Sequence, residues 1–291
     1  MKVLVTGGGG QLGRELLRAA PPAAAVTAWD RATLDIADAA RSRDMISALA
    51  PDVIINAAAY TAVDAAEGDE AGAHAGNVEG PGILAGVAAG IGARLLHVST
   101  DYVFGGSAAA RFFQPDDPVA PLGVYGRSKA DGEQRVLRAA PRSLVLRTSW
   151  VYSCYGRNFV KTVLQLCRTR PRLTIVADQV GAPTWAAGLA QCLWTLAARA
   201  ECTGIRHYCD AGVASWYDFA VAIRDEAVGL GLIGSRTPID PIRTGEFPAR
   251  APRPTFAVLD ARGLRDELQL EAVHWRAQLQ RMLAEVTTGN D

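Results

Sequence analysis

The chain has 291 residues, 49% of them hydrophobic and 21% charged, and its 30 basic and 30 acidic side chains cancel to a formal charge of zero. That length can bury one large core, or a main domain with a smaller one attached. The neutral balance gives no reason to expect a nucleic acid or an anionic membrane surface as partner. Five cysteines (Cys154, Cys167, Cys192, Cys202 and Cys209) are odd in number, lack CxxC spacing and have no His cluster beside them. This argues against a disulfide framework and a zinc site, and fits small apolar residues in a reducing compartment.

The N-terminus, MKVLVTGGGG, runs into glycines too soon for a signal peptide or membrane anchor, and no apolar run is long enough to span a bilayer. A cytoplasmic protein is expected. Residues 2–6 read as a short β-branched strand that the glycines turn, and QLGRELLRAA carries a helical apolar pattern at Leu12, Leu16 and Leu17. VTAWD, 26–30, is the next strand and ends in an acid. DVIINAA, 52–58, and ARLLHVST, 93–100, are continuous apolar strands of the kind buried on both faces. Between them the Ala-rich segment 64–91 reads as helix, broken at Gly80, Pro81 and Gly82.

A helix opening near Tyr125 and a strand at 143–151 complete an alternation that predicts an α/β fold, a doubly wound parallel Rossmann sheet with right-handed crossovers. Beyond residue 150 the rhythm loosens into strands at 173–176 and 205–209, helices at 157–169, 186–199 and 216–229, and the Pro-rich stretch EFPARAPRPTF. The expected division is a dinucleotide-binding domain over 1–150, to which segments at about 173–203 return, and a smaller, discontinuous substrate-binding lobe over 151–291.

TGGGGQLG supplies Gly7, Gly10 and Gly13 between a strand and a helix. Glycines there let the backbone approach a pyrophosphate, and the helix N-terminus offers it free N–H groups and a positive dipole end. Asp30, ending the second strand, can accept the ribose hydroxyls of a dinucleotide. Its carboxylate repels the extra phosphate of NADPH whereas Arg31 beside it can pair with that phosphate, so NADPH and NADH both stay open. Ser99, Thr100, Asp101 and Tyr102 continue the strand 93–98 at the carboxyl edge, where an open sheet binds ligands. They read equally as a helix cap or turn. In YGRSK, Tyr125 and Lys129 lie one helical turn apart, either an acid with a cation beside it or an exposed pair.

Taken in order, the glycine loop, Asp30, Thr100 and Tyr125-x-x-x-Lys129 resemble the extended short-chain dehydrogenase/reductase family. The blocks NAAAYTAVDAAE, STDYVF, YGRSKADGE, RTSWVY, NFVKT, DQVGAPT and SWYDFA are similar to the signature blocks of its dTDP-4-dehydrorhamnose reductases, and they run nearly end to end. The resemblance implies reduction of the C4 ketone of dTDP-4-dehydro-L-rhamnose to dTDP-L-rhamnose by hydride from NADPH or NADH. Tyr125 would give the proton to the developing alkoxide, with a phenol pKa lowered by Lys129 and by the oxidised nicotinamide. Lys129 would also hold the nicotinamide ribose, and Thr100 the sugar oxygen. The resemblance places Gly7, Gly10, Gln11, Leu12, Gly13, Asp30, Asp35, Ile36, Ala59, Tyr60 and Thr61 on the cofactor. It places Asp101, Tyr102, Trp150 and Arg253 on the dTDP-sugar, Trp150 having packing at a strand end as its alternative.

Some members of the family join subunits through a metal held partly by an acid just after the GAPT block. Here Trp185, Ala186 and Ala187 follow it. A homodimer stays open, but a metal bridge within it is not expected, no residue is assigned to a metal, and Glu15 reads as a solvated helical residue. A dehydratase on this scaffold needs Asp then Glu after the threonine, and Asp101-Tyr102 lacks the second acid. Two alternatives remain: a reductase of another dTDP-4-keto-6-deoxysugar of the streptose or antibiotic type, and a non-catalytic NADP-binding regulatory subunit.

Overall fold

The computed structural model describes residues 1–106 and 111–287. Positions 107–110 of the loop expected before Tyr125, and positions 288–291 of the expected second lobe, lie outside the described residues. In chain order, β1 (Lys2–Thr6) leads to α1 (Gln11–Arg18), β2 (Ala25–Trp29), α2 (Ala39–Leu49) and β3 (Val53–Asn56). Helices α3 (Val63–Ala66) and α4 (Glu70–His74) run through a π-helical turn at Ala75–Glu79 into α5 (Gly80–Ile91), followed by β4 (Arg94–Thr100). A 3-10 turn at Asp101–Phe104 precedes the loop, α6 (Val124–Ala139) and β5 (Leu144–Thr148). The remainder comprises β6 (Val151–Tyr152), α7 (Phe159–Thr169), β7 (Leu173–Val176), β8 (Val180–Gly181), β9 (Thr184–Trp185), α8 (Ala186–Ala197), β10 (Gly204–His207), β11 (Ala214–Ser215), α9 (Trp216–Gly229), β12 (Ile239–Ile242), α10 (Arg262–Leu268) and α11 (Trp275–Thr287).

Six strands pair in the order β10-β5-β4-β3-β1-β2, every pairing parallel. The strand period of two, with helices on both faces, explains why the inner strands β1, β3, β4 and β5 are mostly apolar. Val3, Val5, Ile55, Leu96 and Leu146 pack on one face with Leu12 and Leu16 of α1 and Leu189 and Leu193 of α8. Leu4, Ile54, Leu95 and Val145 pack on the other with Ile46 of α2, Leu84 of α5 and Val136 of α6. Each such side chain, fully buried, contributes about 1.5–3 kcal/mol. The chain leaves β1 toward β2 on one side and resumes at β3 on the other, which opens a crevice beyond the carboxyl ends of these strands.

A separate core joins Tyr152, Val160, Phe219, Ile223, Leu279 and Met282, built mainly from α7, α9 and α11. Two expectations change here. Leu173–Val176 pairs with Ile239–Ile242 in a small sheet of its own, and the segments that rejoin the main sheet are α8, packed on α1, and β10, paired with β5. Gly80, Pro81 and Gly82 do not break the helix: Pro81 sits in the first turn of α5, where a missing N–H costs little. The hydrogen-bond register shifts just upstream, in the π turn at Ala75–Glu79. Among the described residues no helix is long and apolar enough to cross a membrane.

Candidate active site

A cleft of about 800 Å³ lies at that crevice, and Gly7, Gly10, Gln11 and Leu12 line its floor. Gly7 has φ +73°, a conformation costly for any residue with a Cβ. Gly13 does not face the cleft; it sits beneath the loop, where a Cβ would lie 2.2 Å from the Gly7 carbonyl oxygen. The N-terminus of α1 at Gly10 has no side-chain cap, which leaves its amides to a ligand. Asp30, Asp35, Ile36, Ala59, Tyr60 and Thr61 line the same cleft. The Asp30 carboxylate accepts from the Thr33 amide and hydroxyl, both at 2.8 Å, and these bonds hold it below the usual range. Arg31 is 87% exposed at the rim, with only a 3.4 Å pairing to Asp35.

Thr100, Asp101, Tyr102, Tyr125 and Lys129 meet at the other end of the cleft. Thr100 ends β4 and accepts from the Tyr102 amide at 3.2 Å, so the cap reading of STDYVF is realised. The same hydroxyl hydrogen-bonds the Tyr125 phenol. Burial pushes that phenol well up, the Thr100 bond opposing, so in the free protein the balance runs opposite to the expected depression. Lys129 is 2% exposed, donates to the Val98 carbonyl at 2.8 Å, and is pushed down to about 8 by burial, with Glu133 opposing. Asp101 is pushed up to about 7 by burial, and Tyr102 up to about 12 by burial and Asp101.

Trp150 lines the cleft from the end of β5 with φ 45°, a strained conformation for a bulky residue. Its ring stacks on Trp216, centroids 3.5 Å apart. Arg253 does not line the cleft; it pairs with Asp64 of α3 at 2.8 Å and hydrogen-bonds Tyr102, tying the Pro-rich stretch to the rim. Ser99, read from the sequence at the carboxyl edge but given no role, lines the cleft, and sequence reasoning missed Thr148 and Trp216 there. The Ser99 and Thr148 hydroxyls are buried without a hydrogen-bond partner. Their position at the carboxyl ends of parallel strands was a signal available in the sequence. A smaller cleft of about 590 Å³, beside β10 and α10, contains none of these groups.

The family model described as the RmlD substrate binding domain matches residues 1–288. The chain belongs to this family. It is 40% identical over 290 residues to a dTDP-4-dehydrorhamnose reductase from Aggregatibacter actinomycetemcomitans, covering 97% of this chain and 98% of that one. A probable dTDP-4,6-dihydroxy-2-methyloxan-3-one 4-ketoreductase from Streptomyces antibioticus is 40% identical over 261 residues, covering 89% and 86%. Among solved structures, the dTDP-4-dehydrorhamnose reductase from Bacillus anthracis in complex with NADP superposes with a TM-score of 0.92 at 34% identity, covering 98% of this chain and 99% of that one.

The residues present fit a dinucleotide. The positive-φ Gly7, the uncapped start of α1 and the two unpartnered hydroxyls are features a bound polyphosphate and ribose would satisfy. The donors for a metal fit less well. Glu15 is a correction to the expected solvated residue: it is fully buried, accepts from the Ser153 hydroxyl at 2.7 Å, and burial raises its carboxyl. Glu15, Cys154 and Glu285 offer donors within 4.8 Å of one another. Arg18 stands beside them, 2.7 Å from Glu15 and 2.6 Å from Glu285, and the Lys161 ammonium donates to the Cys154 carbonyl at 3.0 Å. A divalent ion would have to displace that guanidinium, so the set as it stands does not fit one.

Proposed function

We propose that this chain reduces the C4 ketone of dTDP-4-dehydro-L-rhamnose to dTDP-L-rhamnose with NADPH or NADH. The observation that carries the reading is the convergence of the Tyr125 phenol, its Thr100 partner and Lys129 at the end of a cleft whose other end is the glycine loop. Gly7, Gly10, Gln11 and Leu12 would hold the pyrophosphate, Asp30 or Arg31 the adenosine ribose end, and Lys129 the nicotinamide ribose. When bound, the reduced nicotinamide supplies the hydride. A buried phenol held well above its ordinary pKa stays protonated at neutral pH, which is the state a donor to the developing alkoxide needs. The Thr100 hydroxyl, bonded to that phenol, donates to Asp101 Oδ1 at 3.0 Å and would turn from it to donate to the same oxygen. Trp150 with Trp216, Asp101 and Tyr102 would hold the sugar nucleotide, and the core of α7, α9 and α11 would serve as the substrate lobe. Arg253 reaches the substrate only if its pairing with Asp64 opens.

The relative from Streptomyces antibioticus supports a second reading, in which the ketosugar is another dTDP-linked 4-keto-6-deoxysugar. Purified protein mixed with NADPH and dTDP-4-dehydro-L-rhamnose should lose reduced-nicotinamide absorbance, with the C4 configuration of the product read by NMR. A panel of dTDP-4-ketosugars separates the two readings. Cofactor binding without oxidation by any of them would favour the regulatory subunit and contradict both.

A further inference from the structure

The face of the sheet beneath α5 and α6 is apolar until its last rung. In register, Thr6 of β1 stands beside Asn56 of β3, and Asn56 beside His97 of β4. All three are at most 1% exposed. The rung is hydrogen-bonded throughout, and the direction of each bond can be assigned. Asn56 Oδ1 accepts from the Ala58 backbone amide at 3.1 Å and from the Thr6 hydroxyl at 2.6 Å. The backbone amide can only donate, so the oxygen of the Asn56 side chain is fixed on that side. Its Nδ2 therefore faces His97 Nδ1, at 2.9 Å, and donates to it. Burial, with the Lys129 charge, holds the imidazole well below its ordinary pKa, so it is neutral. A neutral imidazole whose Nδ1 accepts carries its only proton on Nε2. That nitrogen points at Lys129 Nζ, 3.4 Å away.

An N–H aimed at this nitrogen forms a hydrogen bond only with the lone pair of an amine and opposes an ammonium. We propose that the Thr6–Asn56–His97 rung is a positioning device that fixes His97 as the Nε2–H tautomer and thereby favours the amine form of Lys129. The inference deepens the reading of Lys129 given above and rests on it for its catalytic meaning, though not for its geometry. Other groups around Lys129 are the Val98 carbonyl, which accepts from Nζ at 2.8 Å in either protonation state, Glu133 on the same helix, whose opposing charge is paired with Arg147 of β5 at 2.7 Å, and Tyr125 and Asp101, which share the cleft. None of them donates an N–H to its nitrogen. A lysine that titrates near neutral pH is matched to giving and regaining a proton during turnover, whereas one at its ordinary value is a fixed charge.

The chain has only three lysines, Lys2, Lys129 and Lys161, and four histidines, His74, His97, His207 and His274, so both partners can be followed by NMR in the full-length protein. Long-range 1H–15N spectra should show two histidines that stay neutral as the pH falls, His97 protonated on Nε2 and His207, whose Nδ1–H donates to the Phe113 carbonyl at 3.1 Å, on Nδ1. Lysine ε-13C titration should show Lys129 titrating near 8. Asn56→Asp puts an acceptor at His97 Nδ1, reverses the tautomer, and should raise the Lys129 midpoint by about one unit or more. His97→Gln can offer Lys129 an amide oxygen and should move it the same way. If the reductase reading is correct, the limb of the kcat–pH profile that reports Lys129 shifts with it. A wild-type His97 protonated on Nδ1, or a Lys129 midpoint unmoved in both variants, would overturn the inference. Neither NMR readout needs substrate, so failure of the enzyme to oxidise NADPH bears on the proposed function alone.

Discussion

Trp150 lies flat on Trp216, ring centroids 3.5 Å apart and planes 4° from parallel. Trp150 holds a left-handed φ of 45° at the end of β5, and Gly181 admits its ring by lacking a Cβ, which would lie 2.5 Å from Trp150 Cε2. A strained backbone persists only where its surroundings fix it, and the stack is one of those constraints. Such a stack contributes about 0.5–1.5 kcal/mol beyond the area it buries. Trp216→Ala should therefore raise KM for the nucleotide sugar by roughly 3–10-fold while leaving the Kd for NADPH within about twofold. Steady-state kinetics and a cofactor titration check both. An unchanged KM would remove Trp216 from the sugar site.

Gly13 has no room for a methyl group against the Gly7 carbonyl oxygen. Gly13→Ala must push α1 away from the glycine loop, at an overpacking cost of about 1–3 kcal/mol. Cofactor affinity should fall by roughly 10–100-fold, measured by fluorescence titration on protein whose folded state is confirmed by circular dichroism. Wild-type affinity would mean that the loop does not carry the pyrophosphate.

How much of this was legible in the sequence depends on how far apart the partners lie. Val3, Leu4 and Val5 announce a strand, residues 52–58 and 93–100 announce strands buried on both faces, and each principal strand through β5 was legible because its own residues determine it. The glycine loop, Asp30, Thr100, Tyr125 and Lys129 were legible because residue type and order carry the chemistry, and they share one cleft. Glu15 was misread because the groups that bury it come from elsewhere: Ser153 beyond β6, and α11, which carries Glu285 beside it. Leu173–Val176 was misplaced because its partner, Ile239–Ile242, contains Pro241 and gives little strand signal of its own. The Trp150–Trp216 stack and the Thr6–Asn56–His97 rung are products of topology and register, which local pattern does not encode.

Asp210 is 4% exposed and accepts from the Trp185 amide at 2.9 Å, and burial raises its carboxyl to about 7. A carboxyl with a folded pKa above its unfolded value of ~3.9 binds more protons in the folded state between those two values, so its contribution to stability falls as pH rises through that window. Above about 7 the loss is complete. Asp210→Asn keeps an acceptor for Trp185 without the charge, and its stability relative to wild type should grow by at least about 1 kcal/mol between pH 4 and pH 8. Urea denaturation at the two pH values checks this, and a constant difference would contradict it.

Arg18 bridges Glu15 and Glu285, so the positive charge that offsets these acids belongs to the chain itself. Treatment with EDTA should leave Tm within about 1 °C of the untreated protein, since a ligand bound only to the folded state would otherwise have stabilised it. Arg18→Ala leaves the buried Glu15 without its cation and should cost about 3 kcal/mol or more. A large loss of Tm on chelation would show that a metal, and not the guanidinium, holds the cluster.

The most direct test of the account is hydride transfer in Tyr125→Phe. The substitution removes one hydroxyl from a half-buried ring and leaves the glycine loop and Lys129 in place. With saturating NADPH and dTDP-4-dehydro-L-rhamnose, kcat should fall by at least ~100-fold, the scale of general acid catalysis, with the Kd for NADPH nearly unchanged. A Tyr125→Phe enzyme that turns over within a few fold of wild type would contradict the assignment of that phenol as the proton donor.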